Sequence, residues 1–397
     1  MSVVEVQNTF AKIQDYVQAH RDDMLALWKE IVNTESGPKQ IDGVNQVGKI
    51  FTRELEEIGA TVQMVPVQKA GNLVRADWHP ELPKKPIVFM GHMDTVFPAG
   101  EGSTNPFRID EKNHAHGPGV MDMKGGLVIA LYAMKALAAV GWAARPIRFL
   151  GVPDEETLHM HSDGKQVIAG QVRGALAAFN CEPSPVGNFI ITGRYGGGPV
   201  SITVHGVAAH SGGAPEKGRS AVLEAAHKII QLEAANDIAR GKLINCGAIE
   251  GGIGENTIPD YCKIRIGIRF RNVAIGKEIL ELLANVTKTN TVAGTWAELD
   301  TSSVVQCMDT TEGVKKLFAQ YQQTAISCGM PVPQGLQVGG LSDAGIAVQE
   351  GIPTLCGVGV SGVGAHTREE YAEVASLFER CVLLACTASA ITEEKLL

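Results

Sequence analysis

The stretch that decides the fold is Ile87-Val88-Phe89-Met90-Gly91-His92-Met93-Asp94-Thr95. Its first four residues follow Pro86, are strand-forming and apolar, and read as a buried strand of a mainly parallel sheet. Gly91 frees the backbone at the strand's end. His92 and Asp94 lie two apart, so in extended geometry their side chains leave the same face. One ring nitrogen of His92 can then face a metal while the carboxylate takes the other N–H or a neighbouring group. Taken alone, the pair reads as a solvated loop after a strand, and a motif this short needs corroboration elsewhere in the chain.

Working outward, residues 3–32 carry apolar groups at helical spacing (Phe10, Ile13, Val17, Met24, Leu27, Ile31), which predicts one long or broken helix. Residues 43–58 repeat the pattern and stop at Gly59. Residues 61–67 and 73–77 read as strands separated by a Gly71-Asn72 turn. Beyond the central strand, residues 98–119 form a Gly- and Pro-rich loop long enough to suggest function. It ends in Gly117-Pro118-Gly119-Val120-Met121-Asp122-Met123-Lys124-Gly125-Gly126, and helical periodicity takes over at 127–140. Asp122 therefore sits just before a helix, a common place for an N-cap. The surrounding glycines also let the backbone approach something as compact as an ion.

Residues 147–152 form another strand, followed at once by Asp154-Glu155-Glu156, and adjacent carboxylates repel unless a cation compensates. Residues 176–179 lead to Asn180-Cys181-Glu182-Pro183, and the glycine-interleaved strand at 354–360 leads to Gly364-Ala365-His366-Thr367. Strand–helix alternation implies an α/β fold whose ligand site lies beyond the carboxyl ends of the strands. Two histidines and several carboxylates arrive there from separate parts of the chain.

Composition bounds the function classes. At 397 residues the chain suits two domains. A net charge of −8, from 43 acidic and 35 basic residues without blocks of like charge, argues against nucleic acid or anionic lipid as partner. Residues 1–33 carry no signal-peptide core and no long uncharged apolar run occurs, so the cytoplasm is the expected location. The eight cysteines form no C-x-x-C pair and are expected to be reduced core thiols.

The ordered set His92-x-Asp94, Asp122, Glu155-Glu156, Glu182 and His366 resembles the M20 dinuclear zinc peptidases, and most closely their glutamate carboxypeptidase branch. Flanking segments match as well: Gly91-His92-Met93-Asp94-Thr95-Val96, residues 117–126, Ala208-Ala209-His210-Ser211-Gly212, Pro215-Glu216-Lys217-Gly218, Asn256-Thr257-Ile258-Pro259 and Gly340-Leu341-Ser342-Asp343-Ala344. The resemblance runs from about residue 10 to the C-terminal helix. It implies a phosphorylase/hydrolase-like α/β catalytic domain with a mixed, mainly parallel sheet, built from residues 1–192 and 306–397. An inserted α+β, ferredoxin-like lid and dimerisation domain would occupy residues 193–305.

It further implies two Zn2+ per subunit, with Co2+ or Mn2+ as substitutes. Asp122 would bridge them, His92 and Glu182 completing one site and Glu156 and His366 the other. Glu155 would stay off the metals and act as general base and acid, taking a proton from the attacking water and giving it to the leaving amine. Asp94 would orient His92, and the peptide bond after Asp122 would be cis. In the lid, His210 would polarise the substrate carbonyl in a partner subunit, Arg269 would bind the substrate's free carboxylate, and Asn256 would lie beside it.

Three departures bear on the substrate. Thr157-Leu158-His159-Met160-His161-Ser162-Asp163 stands where relatives have a Gly-Ser-rich stretch, so His159 and His161 are expected either at the surface or against substrate. Gly267 replaces an aspartate before Arg269, and Arg194 is the nearest second cation for a glutamate side chain. The favoured activity is hydrolysis of a small amide, an N-acyl amino acid or a C-terminal glutamate conjugate, by a homodimer. The alternatives are an aminohydrolase or deacylase acting on an aromatic or modified amine, and a non-catalytic ligand-binding relative.

Overall fold

Residues Ile87–His92 are buried at every position, as a continuous apolar run covered on both faces must be. In the computed structural model, which describes residues 3–396 and leaves Met1, Ser2 and Leu397 outside, this strand lies inside an eight-stranded sheet. It pairs in parallel with Ile147–Val152 on one side and Ala177–Asn180 on the other, and Ala177–Asn180 pairs in parallel with Thr354–Cys356. These four central strands are parallel to one another. Thr61–Pro66 and Asn72–Trp78 add an antiparallel edge, and Phe189–Arg194 joins Thr354–Cys356 antiparallel on the other side. The two edge strands, Thr61–Pro66 and Gln334–Val338, are more exposed than the centre.

Alternation within the central strand divides the core. Val88 and Met90 face a cluster with Leu150, Val152, Ile168, Val172, Ala178 and Ile346, where the helices Gly164–Val172 and Ala344–Gln349 cover one face. Phe89 meets Phe179 edge-on, at 5.9 Å between centroids. The helices Gly125–Ala139 and Val374–Ala390 pack against each other and are apolar almost all round, consistent with burial between further helices and the sheet. The expected N-terminal helix is broken at His20 into Val3–Ala19 and Arg21–Asn33.

The residues expected to form a loop at 98–119 instead contain a four-residue helix, Glu101–Thr104, and the short strands Arg108–Ile109 and His114–His116. The strands belong to a second, five-stranded sheet with Tyr371–Glu373, Ser361–Val363 and Ser184–Pro185. Strands of two or three residues are too short to show a period in sequence. The strand expected at 354–360 likewise divides into one that ends at Cys356 in the large sheet and one, Ser361–Val363, in the small sheet.

Residues Arg194–Asp309 with Gly339–Leu341 form a second compact unit. Its antiparallel sheet runs in the order Lys242–Gly251, Tyr261–Phe270, Gly196–His205, Trp296–Asp300. The helices Ala221–Glu233 and Val273–Lys288 pack on it around Ile202, Val204, Ile264, Ile266, Ile279 and Leu283. Lys242–Gly251 and Trp296–Asp300, the strands that sequence periodicity does not reveal, are the edge strands and are mostly exposed. Among the described residues no helix is long and apolar enough to cross a membrane.

One packing contact links the first unit's fold to its ligand edge. Gly126, in the first turn of Gly125–Ala139, is so close to the end of Ala177–Asn180 that a β-carbon there would stand 1.8 Å from the Cys181 carbonyl oxygen. Gly126→Ala is expected to destabilise the protein by about 1–3 kcal/mol through forced backbone movement. Urea denaturation measures this, and an unchanged midpoint would show that the contact can relax freely.

Candidate metal and catalytic site

Register alone brings four of the expected residues together. His92 is level with Val152 in one parallel pairing, and Met90 with Asn180 in the other, so Glu182 comes level with His92 while Glu155 and Glu156 emerge just beyond. Strand ends are rigid, and side chains leaving them at one level converge without any loop ordering. Glu155 and Glu156 are held in a short 3-10 turn, Glu155–Thr157.

Asp122 reaches the same place by a different route. It lies in the tight turn Val120–Lys124, where Asp122 and Met123 depart from helical geometry and their shared peptide bond is cis. It does not cap the following helix. Its Oδ1 lies 3.1 Å from His92 Nε2, and its Oδ2 lies 3.4 Å from His366 Nε2. His366, with φ of 67°, sits in the connection between the paired strands Ser361–Val363 and Tyr371–Glu373, and its Nε2 is 3.2 Å from Glu156 Oε2. Glu182 Oε1 stands 3.8 Å from His92 Nε2.

All five residues expected to hold metal therefore meet in the first unit. Ligand atoms of His92, Asp122 and Glu156 lie within 4.8 Å of one another, as do those of His92, Glu155 and Glu182. Glu155, expected to stand off the metals, is thus close enough to exchange a proton with anything bound there.

Of the two partners expected for the Asp94 carboxylate, it takes the neighbouring groups and leaves the ring to its own backbone carbonyl. The near acceptor of the His92 Nδ1–H is the Asp94 backbone carbonyl, at 2.9 Å, and the Asp94 carboxylate is 3.5 Å away. That carboxylate accepts the backbone N–H groups of Glu155 and Glu156, at 3.2 and 3.0 Å. The turn after a strand leaves such donors unpaired, and a buried acid beside them is satisfied by taking both. Asp94 consequently fixes the two glutamates at least as firmly as the histidine.

The electrostatics are those of an anionic pocket. Burial alone would depress His92, but hydrogen bonds to Asp122 and Asp94 raise its pKa well above the usual value. Hydrogen bonds to Asp122 and Glu156 push His366 up to about 10. Burial raises Glu155 well above the carboxylate range, with Glu182, Asp343 and Glu156 adding repulsion against the attraction of His92. Burial also raises Glu156, partly offset by His366. Glu156 Oε1 is buried with no hydrogen-bond partner among the described residues. A pocket of imidazole and carboxylate donors that leaves a buried carboxylate oxygen unpaired fits divalent cations.

The substituted stretch after the glutamates is resolved in favour of neither expected role for His159, which is 4 % exposed and clamped between two acids. Its Nδ1 is 2.8 Å from Asp154 Oδ1 and its Nε2 is 2.8 Å from Asp343 Oδ1. Burying the ring is tolerable because both nitrogens meet carboxylates. His161 stays exposed, as expected for a surface histidine. Arg194 is buried and donates to the carbonyls of Gly340 and Leu341, which ties it into its own unit.

In the second unit, His210 and Asn256 share a short ribbon in which His210 pairs with Thr257 and the Asn256 carbonyl accepts the Ser211 N–H. His210 is exposed, and its Nδ1 accepts the N–H groups of Gly212 and Gly213, at 3.1 and 3.0 Å, which leaves the ring proton on Nε2. Arg269 is partly buried, donates to its neighbour's Ile268 carbonyl, and is depressed by burial with no carboxylate opposing that shift.

The profile of peptidase family M20/M25/M40 matches residues 88–390. Carboxypeptidase G2 of Pseudomonas sp. (strain RS-16) is 27 % identical over 386 residues, 93 % of this chain and 90 % of that protein. Succinyl-diaminopimelate desuccinylase of Buchnera aphidicola is 27 % identical over 261 residues, 61 % of this chain and 68 % of that protein. The solved structure of aminopeptidase PepT from Bacillus cereus ATCC 10987 shares the fold with a TM-score of 0.73 at 21 % identity, covering 93 % of this chain and 98 % of that one.

The histidine clamp yields a pH prediction. Burial would lower His159, but Asp343 and Asp154 raise its pKa well above the usual value. A raised folded pKa contributes stability that is fully present below the unfolded value of about 6.5 and is lost as pH rises through the folded one. His159→Gln is therefore expected to cost about 3–5 kcal/mol near pH 6, the penalty for breaking a buried pair, and less toward pH 9. Denaturation midpoints of both proteins across that range test it; a gap independent of pH would contradict a charged clamp.

Proposed function

This chain belongs to peptidase family M20/M25/M40 and is a hydrolase, and we propose that it cleaves the amide or peptide bond of a small substrate carrying a free carboxylate. An N-acyl amino acid or a C-terminal glutamate conjugate is the substrate class favoured. The single observation that carries the reading is Asp122, whose two carboxylate oxygens face different histidines while Glu155 stands buried beside them.

His92, Asp122 and Glu182 would hold one cation and Asp122, Glu156 and His366 the other, with zinc favoured by the donor set. Bound there, the cations supply Lewis acidity and lower the pKa of water. Glu155, whose affinity for a proton is raised by burial, takes the proton of the attacking water and passes it to the leaving nitrogen. Asp94 keeps Glu155 and Glu156 in place through their N–H groups. His210, with its proton on Nε2, would reach a partner subunit's site and donate there to the scissile carbonyl oxygen as negative charge develops on it. Arg269 and Asn256 take the substrate carboxylate.

The reading includes a catalytic domain of residues 1–192 and 306–397, a lid of residues 193–305, and a homodimer formed through that lid in the cytoplasm. Leu223 and Ile230 expose 51 and 67 % of their surface on one helix of the second unit, an apolar face of the kind an interface covers. Eight free cysteines suit a reducing compartment.

Glu155→Gln in metal-reconstituted protein is expected to lower kcat about a hundred- to ten-thousand-fold, with KM and fold little changed. Turnover within a factor of two of wild type would exclude the proton-shuttle role. Chelation should abolish turnover and lower the Tm by unmasking carboxylate repulsion, both being restored by zinc. A screen of N-acyl amino acids, glutamate conjugates and aryl amides then identifies the substrate, and preference for amides without a carboxylate would favour an aminohydrolase instead.

A further inference from the structure

Glu370 is 1 % exposed and lies between His366 and the strand Tyr371–Glu373. Its Oε1 accepts the N–H groups of Met121, at 2.7 Å, and Asp122, at 2.9 Å, and its Oε2 accepts the Gly119 N–H at 3.3 Å. The three donors belong to the turn that presents Asp122. These N–H groups stand at the start of the turn Val120–Lys124, where, as at any helix N-terminus, no preceding carbonyl pairs them along the axis, and a side chain takes them instead. At its own end, Glu370 N–H donates to the Thr367 carbonyl and Thr367 N–H to that of Gly364, so Glu370 and His366 belong to one folded-back segment. Arg368, between them, pairs with buried Glu101 at 2.7 Å.

We propose that Glu370 is a positioning residue for the metal centre: one carboxylate joins the turn carrying Asp122 to the segment carrying His366 and so sets the spacing of these two ligands. The proposal rests on the two-cation reading above. Glu370 touches no ligand side chain. It acts through the backbone of Asp122, whose oxygens face both histidines, so that a turn released from Glu370 can swing its carboxylate away from either. The brace fixes the turn before any ion arrives.

Metal-free wild type, Glu370→Ala and Glu370→Gln are titrated with Zn2+ by calorimetry and with Co2+ followed by its visible absorption. Glu370→Ala is expected to bind at least one ion about 10- to 100-fold more weakly, with an altered Co2+ spectrum. Glu370→Gln can keep Oε1 as the acceptor for Met121 and Asp122, and is expected to lose roughly threefold, the worth of the long bond to Gly119. Should Glu370→Ala not fold, Glu370→Met fills the same volume without accepting and replaces it. Wild-type affinities in the Ala or Met variant, even with a lowered Tm, overturn the proposal, as does an equal loss in Gln and Ala. Wild type that takes up no cation overturns the two-cation reading itself, a result distinct from either.

Discussion

Mutual repulsion of buried carboxylates at the carboxyl edge of one sheet is the constraint on which the remainder depends. Asp122, Glu155, Glu156 and Glu182 meet around two imidazoles, and the histidines alone hold the cluster only by binding protons far more tightly than usual. Such a cluster is costly for any fold and is maintained where a cation repays the cost. Everything that positions these acids works against their tendency to separate, and the rigidity of the surrounding frame follows from that. Parallel strands buried on both faces provide two of the anchor points, and hydrogen-bonded turns provide the others.

Much of this was legible because strand ends carry their chemistry in sequence order. The apolar run before His92, the strand before Glu155 and the strand before Glu182 each announced themselves by composition, and parallel pairing fixes their ends at one level. Asp122 and His366 were legible only through the ordered motif set. No local period places a residue that is presented by a non-helical turn, or one in a connection at positive φ, and the elements that bring them in are strands of two or three residues. Periodicity needs several repeats before it exceeds chance, so the five-stranded sheet had no signature.

Two side chains had their roles redistributed by partners far away in the chain. His159 stands in sequence just after the two glutamates, which points to the surface or to substrate; its burial is decided by Asp343, which lies 184 residues on. Asp94 was read through its two-residue spacing from His92, yet its carboxylate serves backbone donors of a different strand's turn. Spacing along a strand reports which face a side chain leaves, and says nothing about which unpaired donor waits there. The edge strands of the second unit escaped for other reasons: Lys242–Gly251 is exposed over most of its length, and Trp296–Asp300 alternates over only five residues.

A recurring device connects these cases. Asp94 takes two N–H groups from the glutamate turn, Glu370 takes three from the Asp122 turn, and in the second unit buried Glu224 takes those of Thr291 and Val292 while pairing with Lys228. In each, a carboxylate spans chain segments distant in sequence and satisfies donors that no helix or ladder can reach. Charge-assisted bonds to backbone are shorter and stronger than neutral ones, and two or three from one acid fix an orientation as well as a distance. Glycine-rich connections would otherwise be the softest parts of the fold, because glycine loses the most conformational freedom on ordering. Acids at those joints stiffen them without adding bulk. The chain thus uses carboxylates in two opposed ways within a few ångströms, some crowded together so that they demand a cation, others spread over backbone donors so that the crowd stays in place.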